Sequence, residues 1–533
     1  IFLTLFLNVK LGIKIPVIIL FTLIQFNFKF GFRLKNTRLP LFYPLVILIA
    51  LLNWFTSGNY ANLNYTLLLL TGIAFWAFCI LAIHQVKMAV DNNAPEVIHQ
   101  TIVVFFIINA VFSFGNLFLI FLETHAVNPY TYQGQLQKYF INTGDYIKGI
   151  TFDNSTTNAV LNGLGVIYFI TRKNALLLFV CMATMLLTGS NFINIVIMLI
   201  LLGIFALGSN KYQKSLIVIC VVFLVVFVAK ISPQNNQYAI NTIKILLHKD
   251  PSEPKPVAWA NLPVRLWPDS VLTPEDRRQK TAQMFMDSMY EVTHAQKQLP
   301  AVKPVDTLFV KEGGRIAIKG PDINSAPYQS STQTPAEQLQ LAAFIAEHKT
   351  ILPVSGGKIA APSVSVPGKV TGFLQTARYL HSGILHAALG AGIGNFSSKL
   401  AFKATGLGVA GGYPHKLVYI NSDFMVNHLD LYLNYFSKRA GFHSLTNSPF
   451  SVYDQLLAEY GLIGLGLFFL FYLGFFAKHY RLLTYGIPIL VFILAVFSIE
   501  YWFEQLSVLV FFELLMLLNI KEAQIPKTLS NEL

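Results

Sequence analysis

Charged side chains are scarce in this chain of 533 residues. Asp, Glu, Lys and Arg make up 12% of it, against about 25% in a typical soluble domain. Hydrophobic residues reach 54%, and the mean hydropathy is +0.54. This composition excludes an ordinary soluble globular protein and is typical of an integral membrane protein.

Cysteine is scarce as well, with only three residues, each inside an apolar run. A disulfide framework and a cysteine metal site are therefore not expected. His381 and His386 are five positions apart, a spacing that does not suit two ligands on one helix face. A GxSxG nucleophile motif is absent from the sequence. We accordingly expect neither a metal nor another cofactor.

The net charge of +13 raises the question of a nucleic-acid partner. The sequence has no basic stripe with interleaved stacking aromatics, which such binding requires. In a membrane protein the positive excess arises from cytoplasmic loops and contacts with anionic lipid. We expect membrane lipid as a partner and no nucleic acid.

Long hydrophobic runs dominate the rest of the chain and predict an all-α polytopic membrane protein with about 12 transmembrane helices. The predicted spans are 1–8 (partial), 13–32, 41–55, 65–86, 97–122, 156–170, 175–188, 192–207, 216–229, 456–476, 482–497 and 501–518.

Lysine and arginine are concentrated in alternate joints between these spans, as in Arg33–Arg38, Arg172–Lys173 and Lys478–Arg481. The positive-inside rule makes that side cytoplasmic. The predicted organisation is an N-terminal bundle over 1–230, a loop outside the cytoplasm over 231–453, closing helices over 454–520 and a cytoplasmic tail over 521–533.

The large loop is expected to be mainly helical. Helices are predicted over 273–298 and 335–349, each with proline at its start. A short hairpin is predicted within 306–318, across the turn at Gly313 and Gly314. Helical periodicity resumes over 371–389 and 422–438.

Polar residues meet an apolar run at 443–464, HSLTNSPFSVYDQLLAEYGLIG. Such a boundary suits a substrate with one apolar and one polar end. Upstream, GAGIGNF at 390–396 lacks the strand that a dinucleotide site needs. It is either a turn packed at the membrane surface or a backbone-amide cradle for phosphate. Arg378 and Lys148 are likewise either surface or headgroup charges, or phosphate ligands.

These motifs together resemble the O-antigen ligase and O-antigen polymerase-like membrane family. The resemblance lies in KGITFDNSTTN, TGSN, Arg378 ahead of GAGIGNF, and the stretch 443–464, in that order. It implies a helical bundle like that of C-type glycosyltransferases in the bacterial inner membrane, with the loop 231–453 in the periplasm. Against the family, the part from 234 to 367 looks like an insertion, and the part from 371 to 453 carries the candidate site. The implied reaction, part of polysaccharide or lipopolysaccharide biosynthesis, moves a glycan from undecaprenyl diphosphate to an acceptor hydroxyl.

The resemblance also implies roles for particular residues. His443 is the expected catalytic base. The expected diphosphate ligands are cationic: Arg378, Lys148 and Arg439. The expected supporting residues are polar or glycine: Asn154, Gly392, Gly394, Asn395, Asn447 and Glu459. The sequence departs from the family where Phe450 and Ser451 replace an expected His-Asn pair, and where TGSN ends in Asn191 in place of arginine.

Three functions stay open at this stage. A ligase would use lipid A-core or a protein as acceptor, and the large insertion favours it. A polymerase would use another lipid-linked glycan. A transporter of lipid-linked glycan is the alternative from another class, because Glu504 and Glu513 in the last predicted span are expected to face the bundle interior.

Overall fold

The computed structural model describes residues 11–25, 27–125, 128, 130, 146–151, 154–231, 309–312, 315–318, 368–404, 417, 419, 421, 424, 428 and 448–524. Helices form nearly all of the regular structure in these ranges. In chain order they are α1 (Leu11–Gln25), α2 (Phe42–Thr56), α3 (Leu63–Asn92), α4 (Pro95–Thr124), α5 (Ser155–Thr171), α6 (Ala175–Leu187), α7 (Asn191–Leu207), α8 (Lys211–Ile231), α9 (Gly368–His381), α10 (Ile384–Leu389), α11 (Lys399–Ala404), α12 (Val452–Ala477), α13 (Gly486–Val496) and α14 (Ser507–Gln524).

Asparagine starts several of these helices. The side chains of Asn62, Asn154, Asn174 and Asn210 each accept a hydrogen bond from the backbone N–H three residues later. This bond satisfies one of the free amides of the first turn. The short polar joints between apolar runs therefore both end one helix and begin the next.

Four helices, α3, α4, α8 and α12, are long and apolar enough to cross a membrane. Shorter apolar helices are found in α1, α2, α6, α7 and α13. Most of these helices begin and end within a few residues of the bounds predicted for the spans. The described part of the chain is thus a helical membrane bundle.

Two predicted spans have different bounds in the structure. In the first of them, 13–32, the helix ends at Gln25, and residues 27–32 are not helical. The last, 501–518, begins with a 3-10 turn at Trp502–Glu504, and Leu506 has a positive φ of 63°. Because that conformation interrupts a helix, α14 starts only at Ser507. Glu504 therefore lies ahead of the final helix, whereas Glu513 is buried inside it.

The predicted hairpin is confirmed. Strands β1 (Phe309–Glu312) and β2 (Arg315–Ile318) pair antiparallel. The predicted helix over 371–389 is observed as α9 and α10. The predictions for 1–8, 273–298, 335–349 and most of 422–438 lie outside the described residues.

The bundle centre is built on α5 and α14, which are buried over nearly their whole surface. Close packing there uses small residues, since a Cβ on Gly163 would lie 2.6 Å from the Phe492 ring. Glu513 of α14 accepts hydrogen bonds from the hydroxyls of Tyr43 at 2.5 Å and Tyr472 at 3.1 Å. These bonds offset part of the desolvation of a carboxylate inside the bundle.

Ion pairs between basic and acidic side chains mark one end of the bundle. At this end Arg38 and Lys87 pair with Asp91, and Arg172 pairs with Glu522. At the opposite end lie the C-terminus of α2, the N-termini of α3, α5 and α12, and the short helices α9 to α11. The part of the polar boundary that the structure describes, 448–464, therefore begins at the end opposite these ion pairs.

Candidate functional site

The site is organised by a break in α12 at Gly461, whose φ of 67° and ψ of −167° are not helical. In a continuous helix, the carbonyls of Ala458 and Glu459 would accept from the amides four residues later. Here the N–H of Ala391 donates to Ala458 O at 2.8 Å, and the N–H of Gly392 donates to Glu459 O at 3.0 Å. The glycine loop 390–396 thus replaces the missing helical donors.

Two glycines permit this close approach. A Cβ on Gly461 would lie 2.4 Å from Ala388 O, and one on Gly390 would lie 2.5 Å from the Glu459 carbonyl carbon. Both residues also have positive φ, which favours glycine. Asn53 of α2 completes the junction, because its side-chain amide donates to Gly390 O at 2.8 Å. We call this arrangement of Gly461, the loop 390–396 and Asn53 the loop–helix junction.

Asp454 links the junction to α9. Its carboxylate accepts from the hydroxyl of Thr376 at 2.6 Å and from that of Ser397 at 2.8 Å. The side chain is only 1% exposed. Ser397 also lies 3.3 Å from the hydroxyl of Tyr501. One buried carboxylate therefore holds α9, the glycine loop and α12 together.

Lys369, in the first turn of α9, fixes the chain just before α12. Its ammonium donates to the carbonyls of Ser448, at 3.0 Å, and Phe450. Burial lowers the pKa of Lys369 from its usual 10.5 to about 8, and the charges of Glu500 and Asp454 oppose that shift. The lysine therefore tethers the end of the segment that contains His443.

The opposite face of α9 is exposed and amphipathic. Val370, Leu374, Arg378 and His381 lie three or four residues apart and form one stripe, with Val370 and Leu374 at 45% and 57% exposure. It continues into α10 with Ile384 and Leu385. Exposed apolar side chains beside a cation are typical of a helix that lies in a membrane interface. We call this set of six residues the interfacial face.

Several predicted site residues belong to this region. Arg378 is exposed on the interfacial face. Glu459 is buried at the loop–helix junction, at 1% exposure. The loop residues Gly392, Gly394 and Asn395 are buried, and Asn395 donates to Ala391 O at 2.6 Å. Because the amides of Ala391 and Gly392 already donate to α12, the geometry favours packing over a phosphate cradle for this loop.

Other predicted residues are placed elsewhere. Asn154 caps α5, and its amide reaches Glu500 at 3.4 Å. Lys148 is half-buried, with its ammonium 5.8 Å from the centre of the Tyr146 ring. His443, Arg439 and Asn447 lie outside the described residues.

Sequence reasoning missed Lys369, Thr376, Ser397 and Asn53 as parts of the site. Asn53 carried a usable signal, since a polar residue inside an apolar helix usually faces a partner in the bundle. No such signal marks Lys369 in the sequence, because this residue lies at the edge of a Gly/Pro/Ser-rich stretch. Its partners are backbone carbonyls about 80 residues away.

Comparison with family models, with curated proteins and with solved structures finds no match for the chain. The resemblance to O-antigen ligases and polymerases therefore stays a prediction. What the chain does has to be inferred from the loop–helix junction, the interfacial face and the residues near them.

The first prediction concerns Gly461. Gly461→Ala should lower the stability of the purified protein by about 1–3 kcal/mol, because alanine disfavours positive φ and its Cβ would collide with Ala388 O. Chemical unfolding in detergent measures this change. Gly466→Ala is the matched control: it lies in the same helix with no atom within 4 Å of a new Cβ. Equal effects of the two substitutions would contradict the junction.

The second prediction concerns pH. The pKa of Lys369 is about 8 when folded against 10.5 as its usual value, so the unfolded chain binds more protons between these limits. The contribution of Lys369 to the free energy of unfolding therefore rises as the pH increases from about 8 to 10.5. Relative to Lys369→Met, the wild type should gain stability between pH 7.5 and pH 10, measured as the difference in unfolding midpoints. A difference that stays constant or shrinks over this range would show that the lysine is not desolvated.

Proposed function

We propose that this protein is a membrane glycan transferase that uses an undecaprenyl-diphosphate-linked glycan as donor. The observation that carries the proposal is the interfacial face, where exposed Val370, Leu374, Ile384 and Leu385 adjoin Arg378. A polyprenyl diphosphate combines a long apolar tail with a compact anion. It matches an apolar surface that ends in a guanidinium group, which binds phosphate oxygens through its planar fork.

The bundle supports a fixed position for that face. Thr376, on the buried side of α9, is held by Asp454, and α10 leads directly into the junction at Gly390. A rigid scaffold is what transfer of a glycan requires, because the acceptor hydroxyl and the glycosidic carbon have to be aligned for attack. The proposed site thus lies on the outer surface of α9 and α10, not inside the bundle.

The proposed reaction needs no metal or nucleotide sugar. The acceptor oxygen attacks the anomeric carbon, the bond from that carbon to the diphosphate oxygen breaks, and undecaprenyl diphosphate leaves. The acceptor proton passes to a base, for which His443 is the proposed residue. Arg378, with Arg439 and Lys148 as further candidates, offsets the charge that develops on the leaving diphosphate.

Chain connectivity supports the assignment of His443. It precedes Ser448 by five residues, so their Cα atoms are at most about 18 Å apart. Ser448 itself is held by Lys369 in the first turn of α9. Asn447, the proposed orienting residue, directly precedes Ser448. These limits keep both residues within reach of a donor bound along α9.

The finer topology belongs to the same proposal. We propose about 12 spans in a bacterial inner membrane, with the site and the segment 231–453 on the periplasmic side. The separation of the ion-paired basic end from the α9–α11 end supports this orientation. The proposed acceptor is lipid A-core or a protein in a ligase. In a polymerase of the same family it is another lipid-linked glycan.

A transporter of lipid-linked glycan is the second candidate. The break in α12 favours it, because discontinuous helices form the binding sites of many transporters. The loop 390–396, however, fills the break, because the amides of Ala391 and Gly392 donate to the carbonyls of Ala458 and Glu459. The two candidates differ in one measurable respect, since only a transferase makes a new covalent bond.

The test uses purified protein in proteoliposomes with radiolabelled undecaprenyl-diphosphate glycan and lipid A-core. A labelled glycan–acceptor product is expected. Arg378→Ala should raise the KM for the donor about tenfold or more, because a charge-assisted phosphate contact is lost. His443→Ala should lower kcat at least 100-fold, the usual contribution of a general base.

Arg481→Ala is the control for charge removal, because Arg481 is exposed in the joint between α12 and α13. It should leave transfer unchanged. Movement of label across the bilayer without a covalent product would overturn the transferase in favour of the transporter. Full turnover by His443→Ala would remove His443 from the mechanism but leave the transferase proposal intact.

A further inference from the structure

A small cavity lies behind the loop–helix junction, separate from the interfacial face. Its volume is about 10 Å³, roughly the space that one water molecule needs. Most of its lining is apolar: Gly72, Phe75, Trp76, Ile393, Leu400 and Phe503. Its polar groups come from Gln455, Glu459 and Glu504, together with Ser398 and Tyr460.

The polar groups in this cavity are short of hydrogen-bond donors. Both carboxylate oxygens of Glu459 are buried without a hydrogen-bond partner among the described residues. The side-chain amide of Gln455 donates to Glu504 at 2.8 Å, while its own oxygen is buried and unpartnered within the same part of the chain. Three buried acceptor oxygens therefore belong to two side chains that line one cavity.

Burial opposes ionisation of both carboxylates, and nearby polar or basic groups offset part of that cost. The Ser398 hydroxyl and the backbone N–H groups of Gly394 and Phe396 lie near Glu459, but none of them makes a hydrogen bond of ordinary geometry to its carboxylate oxygens. Glu504 accepts from Gln455 and is stabilised by the nearby Lys399 and Lys403. The two carboxylates repel each other across an apolar-walled cavity, where such repulsion is poorly screened.

We propose that this cavity binds a monovalent cation, Na⁺, between Glu459, Glu504 and the side-chain oxygen of Gln455. A cation satisfies the unpartnered acceptors and neutralises part of the paired negative charge at once. A space of about 10 Å³ suits a single ion of about the size of a water molecule. The proposal does not depend on which reaction the protein catalyses.

A divalent ion fits the cavity less well. Ca²⁺ takes six to eight oxygen ligands, and the cavity offers only two carboxylates and one amide oxygen. Among the described residues, no group of three or more His, Cys, Asp or Glu side chains is placed to hold a metal ion. Lys399 and Lys403 further reduce the local negative charge that a divalent ion would need.

Binding at this position would stabilise the junction. Glu459 supplies a backbone carbonyl to Gly392 N–H as well as the carboxylate in the cavity. A cation held by that carboxylate restrains the helix where α12 is broken. Sodium is therefore expected to act on the stability of the whole site.

The test measures thermal unfolding of the purified full-length protein in NaCl and in choline chloride at equal ionic strength. The midpoint should be about 2–4 °C higher at saturating Na⁺. Equilibrium binding of ²²Na⁺ should saturate near one ion per chain. Glu459→Gln should lose both the shift and the bound ion.

Glu513→Gln is the matched control, because Glu513 is an equally buried carboxylate held by Tyr43 and Tyr472 away from the cavity. It should retain the Na⁺ response. Equal midpoints in both salts with no retained ²²Na⁺ would mean that the cavity holds water only and would overturn the proposal. Stabilisation by Ca²⁺ but not by Na⁺ would overturn it too. Binding of ²²Na⁺ to the wild-type protein tests the proposal even if Glu459→Gln does not fold.

Discussion

The site depends on one constraint: backbone carbonyls of a broken helix in an apolar bundle must find other donors. Water is scarce at such a position, and each unsatisfied group costs several kcal/mol. In this chain Gly461 breaks α12, and the amides of Ala391 and Gly392 supply the donors. Asn53 anchors the donor loop from a third helix. The glycines at 390 and 461 are needed because the two backbones touch.

This constraint fixes the position of everything around it. The loop that repairs α12 is joined directly to α10, so α9 and α10 are held at the end of the bundle. Asp454 and Lys369 then secure the buried side of α9 through hydroxyls and carbonyls. The exposed side remains for the membrane and, in the proposed function, for the apolar tail and diphosphate of the donor. The cavity at Glu459 lies behind the same junction, so the proposed cation would stabilise the structure that presents the donor surface.

Hydropathy was enough to predict where most helices lie, and local turn chemistry was enough for the hairpin between Phe309 and Ile318. The break at Gly461 was not predictable, because GLIGLG is apolar throughout and glycine is common in uninterrupted transmembrane helices. The late start of α14 was missed for a similar reason, since positive φ at Leu506 is set by tertiary packing. Arg378 and Glu459 were recognised as candidates, but only the fold shows that one is exposed and the other buried. Lys369 could not be found, since its partners are carbonyls distant in sequence.

The central claim, that the junction presents the interfacial face to lipid, is tested most directly by nitroxide labels at Leu374, Ile384 and His381 in nanodiscs. The native cysteines Cys79, Cys181 and Cys220 are buried. A label at Leu48, which is 51% exposed on α2, gives the lipid reference. The account predicts that Leu374 and Ile384 labels are relaxed mainly by oxygen, as at Leu48, and that the His381 label lies at headgroup depth. Relaxation of all three site labels mainly by a water-soluble nickel complex would contradict it.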